Sequence, residues 1–557
     1  MRGPRVLIFA PNAFASPGST SYEVEFRLRT RSGHLASFSN LVRLFNPIGD
    51  KPPELDNSWR EARSMAGYYL ESFLKVRGYE ARTVFDLERD GRAAVAGETP
   101  LALVLSTTYI TTVDGLATMV RDIRSLAGDD VPLVVGGPYV WKQALASGTE
   151  REDLDSDPSS ERLFAERTDP DLRSVIYVAH EFGEHTLLRL LEALARGDRS
   201  PEDLRDVPNL ALPVDGTGWH FTEAQPEPVD LDRDYTRWDL VDDFPSGAVP
   251  LRSSVGCPYR CEFCDFVVLH PKVLLRSPAS IVEELDLVAR RGARFVNFVD
   301  DNAFTSKARI ADLAGAMIES ELGLRWGGFL RADRVTDENV GLLARAGLRY
   351  AWCGIESGDP EMLRRMNKRC DLEAARQGID RLTSSNVNVL TTFVVGFPGE
   401  TMESIDRSVE FLNSLNREAR GRVEYILFPF VLFPDAPINN SERRSSLALS
   451  GSLSEWRHET MTSSQLRSTV APQAFKDVEL GYNYYGADDS LLWTVVQRNA
   501  VIKARKALTI AFLDHQDDLE VQRRCDALRR LLTSRVLVIS PWRGILAARR
   551  QQPGGVE

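Results

Sequence analysis

Short apolar runs alternate with amphipathic segments over the first 200 residues of the chain. An apolar run of about four to eight residues between turn signals indicates a buried strand, and apolar residues spaced three and four apart indicate a helix. Strands are predicted at residues 6–9, 81–85, 101–105, 131–135 and 175–179, and helices from near Ser58 to Gly78, through 116–126 and within HEFGEHTLLRLLEAL. Such alternation predicts a parallel sheet that binds its ligand at the carboxyl ends of the strands.

The same alternation of strand and helix patterns returns between residues 250 and 437. Strands are predicted at residues 295–300, 324–329, 350–355, 389–395 and 425–429, with helix patterns between them. Repeated β/α units over this length predict a partial (β/α) barrel.

The remaining segments have different patterns. Residues 201–249 are rich in Pro and Asp and have few periodic stretches, which predicts a linker. Residues 438–557 contain an irregular aromatic stretch near Tyr482 and a long helical pattern over 490–533, which predicts a mainly helical domain that closes the barrel. The expected fold is therefore α/β, with a Rossmann-like domain at 1–200, a linker, a partial barrel at 250–437 and this C-terminal domain.

Composition narrows the classes of partner. The chain of 557 residues is 43% hydrophobic and 27% charged, with a net charge of −12, which argues against nonspecific binding to nucleic acid. The sequence contains no run of about 20 apolar residues, so no membrane span is predicted. The first residues lack the long apolar stretch and the cleavage site of a signal peptide, so a cytoplasmic location is expected.

Three of the six cysteines lie within eight residues of one another. The spacing Cys257-x3-Cys261-x2-Cys264 can place thiolates on three irons of a 4Fe–4S cubane and leave the fourth iron open to another ligand. Zinc is the alternative, but a structural zinc site usually has four protein ligands in two pairs. No fourth Cys or His follows at that spacing, and the nearest candidate is His270.

The cysteine segment GCPYRCEFCDF, with Phe263 before the third cysteine, resembles the signature of radical SAM enzymes. The segments FVNFVDDNAF, GGFLRADRV, CGIESGDPEMLRRMNK and TTFVVGFPGET follow in order and resemble the second to fifth barrel strands of that family. The resemblance implies that the open iron chelates S-adenosylmethionine and that the cluster can release a 5′-deoxyadenosyl radical from it. Asp300 and Asp301, in the first of these segments, could face the cavity or cap the next helix.

The resemblance also implies roles for single residues of the barrel. Phe263, Gly396 and Gly399 are expected to border the adenine of S-adenosylmethionine, and Arg331 and Glu356 to meet its ribose or methionine groups. Two simpler interpretations stay open. The charged pair could be a salt bridge between strand ends, and the glycines could serve only a turn.

Four N-terminal segments, VLIFAPN, LALVLSTTYI, PLVVGGPYV and VIYVAHEFGEHTLLRLL, resemble the cobalamin-binding domain of one large radical SAM class. In that fold the nucleotide tail of the cofactor lies along the carboxyl edge of the sheet. The resemblance implies hydroxyl contacts from Ser106 and Thr107, close backbone approach at Gly136 and Gly137, and a retained Glu184.

This domain departs from the family pattern in two places. His180 and Glu181 stand where relatives often have the first half of a G-E-G-E sequence. The D-x-H-x-x-G motif that ligates cobalt in many cobalamin enzymes is absent, and its nearest match has Glu88 in place of the histidine. The lower cobalt face could therefore lack a side-chain ligand. The simpler alternative is a Rossmann-like domain that binds another nucleotide or nothing.

The resemblance predicts a cobalamin-dependent radical SAM methyltransferase. Its expected cofactors are a 4Fe–4S cluster, S-adenosylmethionine and cobalamin as methylcobalamin. Its substrate would be a small-molecule or peptide natural-product precursor methylated on carbon or phosphorus. An electron donor such as flavodoxin or ferredoxin would be its protein partner.

Two other enzymes compete with that prediction. The first is a cobalamin-dependent radical SAM enzyme that performs rearrangement, cyclisation or dehydration without methyl transfer. The second is an RNA methylthiotransferase, which requires a second cysteine triad upstream. It is disfavoured because residues 1–256 contain no cysteine.

Overall fold

The computed structural model describes residues 3–11, 27–29, 35–37, 63–110, 112–147, 162–165, 168–214, 218–245, 248–304, 306–415, 423–433, 435–453, 455–466, 481–484 and 538–540. Within these ranges, no helix is both long and apolar enough to cross a lipid bilayer. The predicted start of a helix near Ser58 and the helical pattern over 490–533 lie outside the described residues.

Strands and helices are numbered in chain order. The strands are β1 (Arg5–Phe9), β2 (Arg27–Arg29), β3 (Leu35–Ser37), β4 (Glu80–Val84), β5 (Ala102–Ser106), β6 (Leu133–Gly136), β7 (Ile176–Val178), β8 (Leu210–Pro213), β9 (Trp219–Phe221), β10 (Val249–Leu251), β11 (Ser254–Val255), β12 (Leu274–Leu275), β13 (Phe295–Phe298), β14 (Arg325–Phe329), β15 (Leu348–Glu356), β16 (Asn388–Val395), β17 (Val423–Pro429), β18 (Ser450–Ser452), β19 (Glu455–Arg457), β20 (Gly481–Tyr484) and β21 (Val538–Ser540). The α-helices are α1 (Met65–Val76), α2 (Leu87–Val95), α3 (Val113–Ala127), α4 (Pro138–Ser147), α5 (Glu184–Arg196), α6 (Phe266–Leu269), α7 (Pro278–Arg290), α8 (Lys307–Glu319), α9 (Asp337–Arg345), α10 (Pro360–Arg365), α11 (Leu372–Ser384), α12 (Met402–Ser414), α13 (Ser441–Ser446) and α14 (Ser463–Gln465).

The first sheet has seven strands in the order β4-β1-β5-β6-β7-β8-β9. Strands β4, β1, β5, β6 and β7 run parallel to one another. In β1, Val6 and Ile8 enter one hydrophobic cluster while Leu7 and Phe9 enter the other, so both faces of this strand are buried. A central parallel strand is expected to be apolar throughout for this reason.

The segment predicted as a linker contributes to the first sheet. Leu210–Pro213 and Trp219–Phe221 add two antiparallel strands at its edge. The linker prediction is therefore wrong for this part of residues 201–249. The apolar run Leu-Ala-Leu before Pro213 is short, and the surrounding Pro and Asp residues concealed it in the composition.

The second sheet also has seven strands, in the order β10-β13-β14-β15-β16-β17-β20. All of its neighbouring strands are parallel, and helices connect the first six, as the barrel prediction requires. Gly481–Tyr484 forms its last strand, although the sequence predicted irregular structure there. Nearby, the C-terminal region contains the hairpin β18–β19 and the short helix α14.

Alternation along β15 separates the two faces of this sheet. Ala351, Cys353 and Ile355 belong to the main core, together with apolar residues of α9, α11 and α12. Trp352 points to the other face and forms a separate small cluster with Leu390. The helices therefore cover one face of the sheet, and the second face is turned away from them.

Candidate functional site

The loop that carries the three cysteines follows β10 and is attached to the end of β13. The Asp300 carboxylate accepts hydrogen bonds from the backbone N–H groups of both Ser253 and Ser254, the first at 2.7 Å, and from both hydroxyls. Burial raises the pKa of Asp300 to about 6, although these hydrogen bonds oppose the shift. Asp300 thus holds the cysteine loop, and Ser306 instead caps the next helix through the N–H of Arg309.

The three cysteines lie in one loop, in which Cys261 is buried and Cys257 and Cys264 are half-buried. Cys264 donates its backbone N–H to the carbonyl oxygen of Cys261 at 3.2 Å. Burial raises the pKa of the Cys261 thiol, and it raises the pKa of Cys264 to about 12. An iron that binds these sulfurs as thiolates must displace their protons.

The donor set, three cysteines in one loop, suits a 4Fe–4S cubane, which binds each thiolate on a different iron. A structural zinc ion would need a fourth protein ligand beside the three cysteines. His270, the nearest zinc candidate, directs Nδ1 to Glu181 Oε1 at 2.7 Å.

Asn302 is a site residue that the sequence analysis did not identify. Its side-chain nitrogen lies 3.9 Å from the sulfur of Cys257, within hydrogen-bonding range for sulfur. Its Oδ1 is buried and has no hydrogen-bond partner among the described residues. Hydrogen bonds to ligand sulfurs tune the potential of an iron–sulfur cluster, and an unpaired buried oxygen points to a ligand beside it.

Glu356 and Lys368 form an ion pair at the carboxyl end of β15. Lys368 Nζ lies 2.8 Å from Glu356 Oε1, and both side chains are largely buried. Burial opposes the charge on Lys368, but the Glu356 carboxylate and the Cys261 thiol together outweigh it and raise the pKa of the lysine. Glu356 has a φ of 70°, a conformation that L-residues rarely adopt.

Arg331 does not pair with Glu356, so that salt-bridge alternative is wrong. Its guanidinium pairs with Asp333 at 2.8 Å and donates to the carbonyl oxygens of Lys368 and Arg369. It also lies over the ring of Tyr259, 4.1 Å from the ring centroid. Arg331 therefore fixes the turn that carries Lys368. It also contacts Tyr259, the middle one of the three residues between the first two cysteines.

Gly396 and Gly399 have φ values of 85° and 90° in the turn after β16. These angles support the interpretation that both glycines are required by a turn. His458 Nε2 lies 3.0 Å from the Gly396 carbonyl oxygen, and the buried Glu400 accepts the Gly396 N–H. The adenine contacts expected of these glycines and of Phe263, which packs partly buried against the core, stay predictions.

The expected cobalamin contacts meet at the carboxyl ends of β5 and β6. Ser106 pairs in register with Gly136, and Thr107 Oγ1 donates to the Gly136 carbonyl oxygen at 2.9 Å. Gly137 has a φ of 110°, and a Cβ there would lie 2.9 Å from Thr107 Oγ1. Trp141, one turn later, has a buried Nε1 without a hydrogen-bond partner in the described part of the chain. The half-buried glycines and the unpaired donor of Trp141 fit a ligand at this edge.

Glu184 and Glu88 lie apart from that group. Glu184 begins α5 and faces Arg252, whose guanidinium lies 5.1 Å from the ring centroid of Tyr69. Burial raises the pKa of Glu184, and Arg252 opposes the shift. Glu88 is exposed in the first turn of α2.

An ion pair and a hydrogen bond between a histidine and a carboxylate join the first domain to the cysteine loop. Lys142 of α4 pairs with Asp265, which follows Cys264 directly. Glu181 pairs with His270 after α6. The departure from the family pattern at Glu181 therefore has a structural role across the junction. Sequence reasoning had no signal for either pair, because the partners lie 123 and 89 positions apart.

Comparisons with known proteins find relatives of part of the chain. Residues 251–412 match the model of the radical SAM superfamily. Over 258 residues the chain is 25% identical to the anaerobic magnesium-protoporphyrin IX monomethyl ester cyclase of Rubrivivax gelatinosus, covering 44% of this chain and 46% of that protein. The chain thus spans about half the length of the curated relatives it matches.

Solved structures share the fold of most of the chain. TsrM from Kitasatospora setae, a radical S-adenosylmethionine methyltransferase with cobalamin and a [4Fe-4S] cluster bound, aligns with a TM-score of 0.53 and 18% identity, covering 78% of this chain and 74% of TsrM. OxsB, a cobalamin-dependent S-adenosylmethionine radical enzyme, aligns with a TM-score of 0.55 and 14% identity, covering 95% and 75%. The predicted fold class is confirmed.

Proposed function

We propose that this chain, in which residues 251–412 form a radical SAM domain, is a cobalamin-dependent radical SAM methyltransferase. It would move a methyl group from S-adenosylmethionine through methylcobalamin to a carbon or phosphorus atom of a small-molecule or peptide precursor. The observation that carries the proposal is the junction, where Lys142 and Glu181 of the first domain pair with Asp265 and His270 of the cysteine loop. These pairs support a reaction that uses ligands of both domains, with their reactive atoms held close together.

Different residues of the barrel would bind the cluster and bind S-adenosylmethionine. Cys257, Cys261 and Cys264 would hold three of the four irons, and the cluster, when bound, would supply one electron to the sulfonium of S-adenosylmethionine. Glu356 would bind the polar groups of that cofactor in a position fixed by Lys368. Arg331 would orient both, because it anchors the turn on which Lys368 stands.

The first domain would hold cobalamin at the edge formed by β5 and β6. Ser106, Thr107, Gly136 and Gly137 would line its nucleotide tail, and Glu184, which lies apart from them beside Arg252, would contact another part of the cofactor. The exposed position of Glu88 supports a lower cobalt face without a carboxylate ligand from α2. Flavodoxin or ferredoxin would supply electrons.

Anaerobic reconstitution with iron, sulfide and hydroxocobalamin tests this proposal. We expect the purified protein to retain cobalamin, measured by its absorption spectrum. Gly137→Ala should lower that retention because its Cβ would push Thr107 out of place. Gly97→Ala is the matched control, since Gly97 also has a positive φ but no neighbour within 4 Å. Cluster assembly without cobalamin retention would overturn the proposal.

Similarity to a cyclase favours a second candidate, an enzyme that performs cyclisation, rearrangement or dehydration without methyl transfer. Both candidates use the same residues of the chain. Formation of 5′-deoxyadenosine from S-adenosylmethionine carrying a deuterated methyl group, with no label in the product, would favour this second candidate.

A further inference from the structure

Aromatic side chains cover the face of the second sheet that is turned away from the helices. Phe329, Trp352 and Leu390 are register partners on three adjacent strands, so their side chains form one row. The ring of Trp352 lies 5.2 Å from that of Phe329 and 5.6 Å from that of Tyr350. We call the rings of Phe329, Tyr350 and Trp352 the aromatic wall.

The aromatic wall is exposed at Phe329, on the side of the cysteine loop, whereas the Trp352 ring is largely buried beside it. Phe329 is 44% exposed, and Val299 after the neighbouring strand is 41% exposed. Val299 directly precedes Asp300, whose carboxylate holds the start of that loop. Large apolar side chains left uncovered beside a reaction centre indicate a surface that another molecule covers.

Polar groups lie on both sides of the aromatic wall. Toward the carboxyl ends of the strands, Gly354 and Thr392 pair in register beside Glu356 and Lys368. In the opposite direction, Asn297 aligns through Gly327 with Tyr350. The side-chain oxygen of Asn297 is buried and has no hydrogen-bond partner among the described residues. A buried polar atom of this kind is rare unless a ligand or water satisfies it.

We propose that the aromatic wall binds the substrate and that this substrate presents a flat, unsaturated ring system with an N–H or O–H group reaching Asn297. The proposal rests on the proposed function, since it places the substrate on the barrel face beside the cysteine loop. Offset or tilted aromatic rings attract one another beyond the burial of their area, so a flat ring is favoured over a saturated one of equal size. Asn297 supplies the acceptor that selects a molecule with a donor group.

Binding of three naphthalene-based probes to the reconstituted enzyme tests the proposal. The probes are 2-naphthol, its saturated analogue decahydro-2-naphthol, and 2-methoxynaphthalene, which keeps the rings but lacks the donor. Affinity is measured by anaerobic equilibrium dialysis. We expect 2-naphthol to bind about fivefold to tenfold more tightly than either of the other two.

Matched variants locate the binding. Phe329→Ala should weaken 2-naphthol binding about fivefold to tenfold. Phe221→Ala, which removes a similarly exposed phenylalanine from β9 in the first sheet, should leave binding unchanged. Asn297→Ala should remove the preference for 2-naphthol over 2-methoxynaphthalene. Equal affinity for 2-naphthol and its saturated analogue, or unchanged binding in Phe329→Ala, would overturn the proposal.

The readout separates this inference from the proposed function. If the enzyme binds flat rings selectively through Phe329 but transfers no methyl group, the proposed substrate site is supported and the proposed methyltransferase function is contradicted. If the enzyme transfers a methyl group but does not bind flat rings selectively, only the proposed role of the aromatic wall is contradicted.

Discussion

A single lysine holds Glu356 in place at the carboxyl end of β15. The backbone of Glu356 has a positive φ, which stores strain that the surrounding contacts must offset. Its carboxylate faces Lys368 at 2.8 Å and reaches toward Thr392. The pair is largely buried, so removing one partner leaves an uncompensated charge in a poorly solvated place.

Lys368→Met should therefore lower the free energy of unfolding by about 3 kcal/mol, because Glu356 would stay buried without its partner. Urea unfolding followed by circular dichroism measures the change. Lys272→Met is the control, since Lys272 is exposed, and it should shift the free energy by less than about 0.5 kcal/mol. Equal stability of the two variants would contradict the role assigned to Lys368.

The buried carboxyl of Glu400 should make the free energy of unfolding depend on pH. Burial raises the pKa of its carboxyl from 4.5 to about 8, with the Gly396 N–H opposing the shift. Between these two values the folded protein keeps a proton that the unfolded chain releases, so this group makes stability fall as pH rises from about 5 to 8. Glu400→Gln should flatten that fall, measured by urea unfolding at pH 5.5 and pH 8. A fall of the same size in the variant would show that Glu400 does not cause it.

The sequence predicted the residues whose signal is local. The three cysteines and the glycines of the turn after β16 stand in short motifs, and the structure brings each group together. Lys368 and Asn302 could not be predicted in the same way, because each reaches its partner through a turn or from a different strand. Arg331 was predicted as a site residue, but its partner Asp333 was not.

Helix α11 packs very closely against the short turn that follows Arg331. A Cβ on Gly378 would overlap the carbonyl oxygen of Ala332, in the short 3₁₀ turn directly after Arg331. The absence of a side chain at Gly378 thus lets the helix lie against the turn that presents Arg331. Apolar residues of the same helix, Ile379 and Leu382, enter the main core.

Gly378→Ala should lower the free energy of unfolding by about 1–3 kcal/mol, since the helix or the turn must shift. Gly341→Ala is the matched control because Gly341 is also helical but has no neighbour within 4 Å, and alanine should stabilise it by up to about 1 kcal/mol. Thermal or urea unfolding distinguishes the two. A gain in stability for Gly378→Ala would show that the close contact with Ala332 leaves room for a side chain at position 378.

Elements were predictable where the hydrophobic period was clear. The predicted strands of the barrel appear within a few residues of their predicted positions, because helix patterns separate one from the next. Strands β8, β9 and β20 were not predicted, since they have no helix pattern on both sides and form by adding to the edge of an existing sheet. The local sequence does not contain that tertiary contact.

At the scale of the whole molecule, two seven-stranded sheets are the largest in the described part of the chain. An ion pair from Lys142 to Asp265 and a hydrogen bond between Glu181 and His270 link the first domain to the cysteine loop on either side of α6. Arg252, directly after β10, extends the junction to Tyr69 of α1. This arrangement supports a chemistry shared between a ligand of the first sheet and a ligand of the barrel, which neither domain could perform alone.

Transfer of a labelled methyl group to cobalamin is the step that a methyltransferase of this kind must perform. The reconstituted enzyme is reduced, incubated anaerobically with hydroxocobalamin and S-adenosylmethionine carrying a trideuterated methyl group, and its bound cobalamin is analysed by mass spectrometry. We expect methylcobalamin that carries the trideuterated methyl group. Bound cobalamin without any label, in a protein whose spectrum shows an intact 4Fe–4S cluster, would contradict the proposed function.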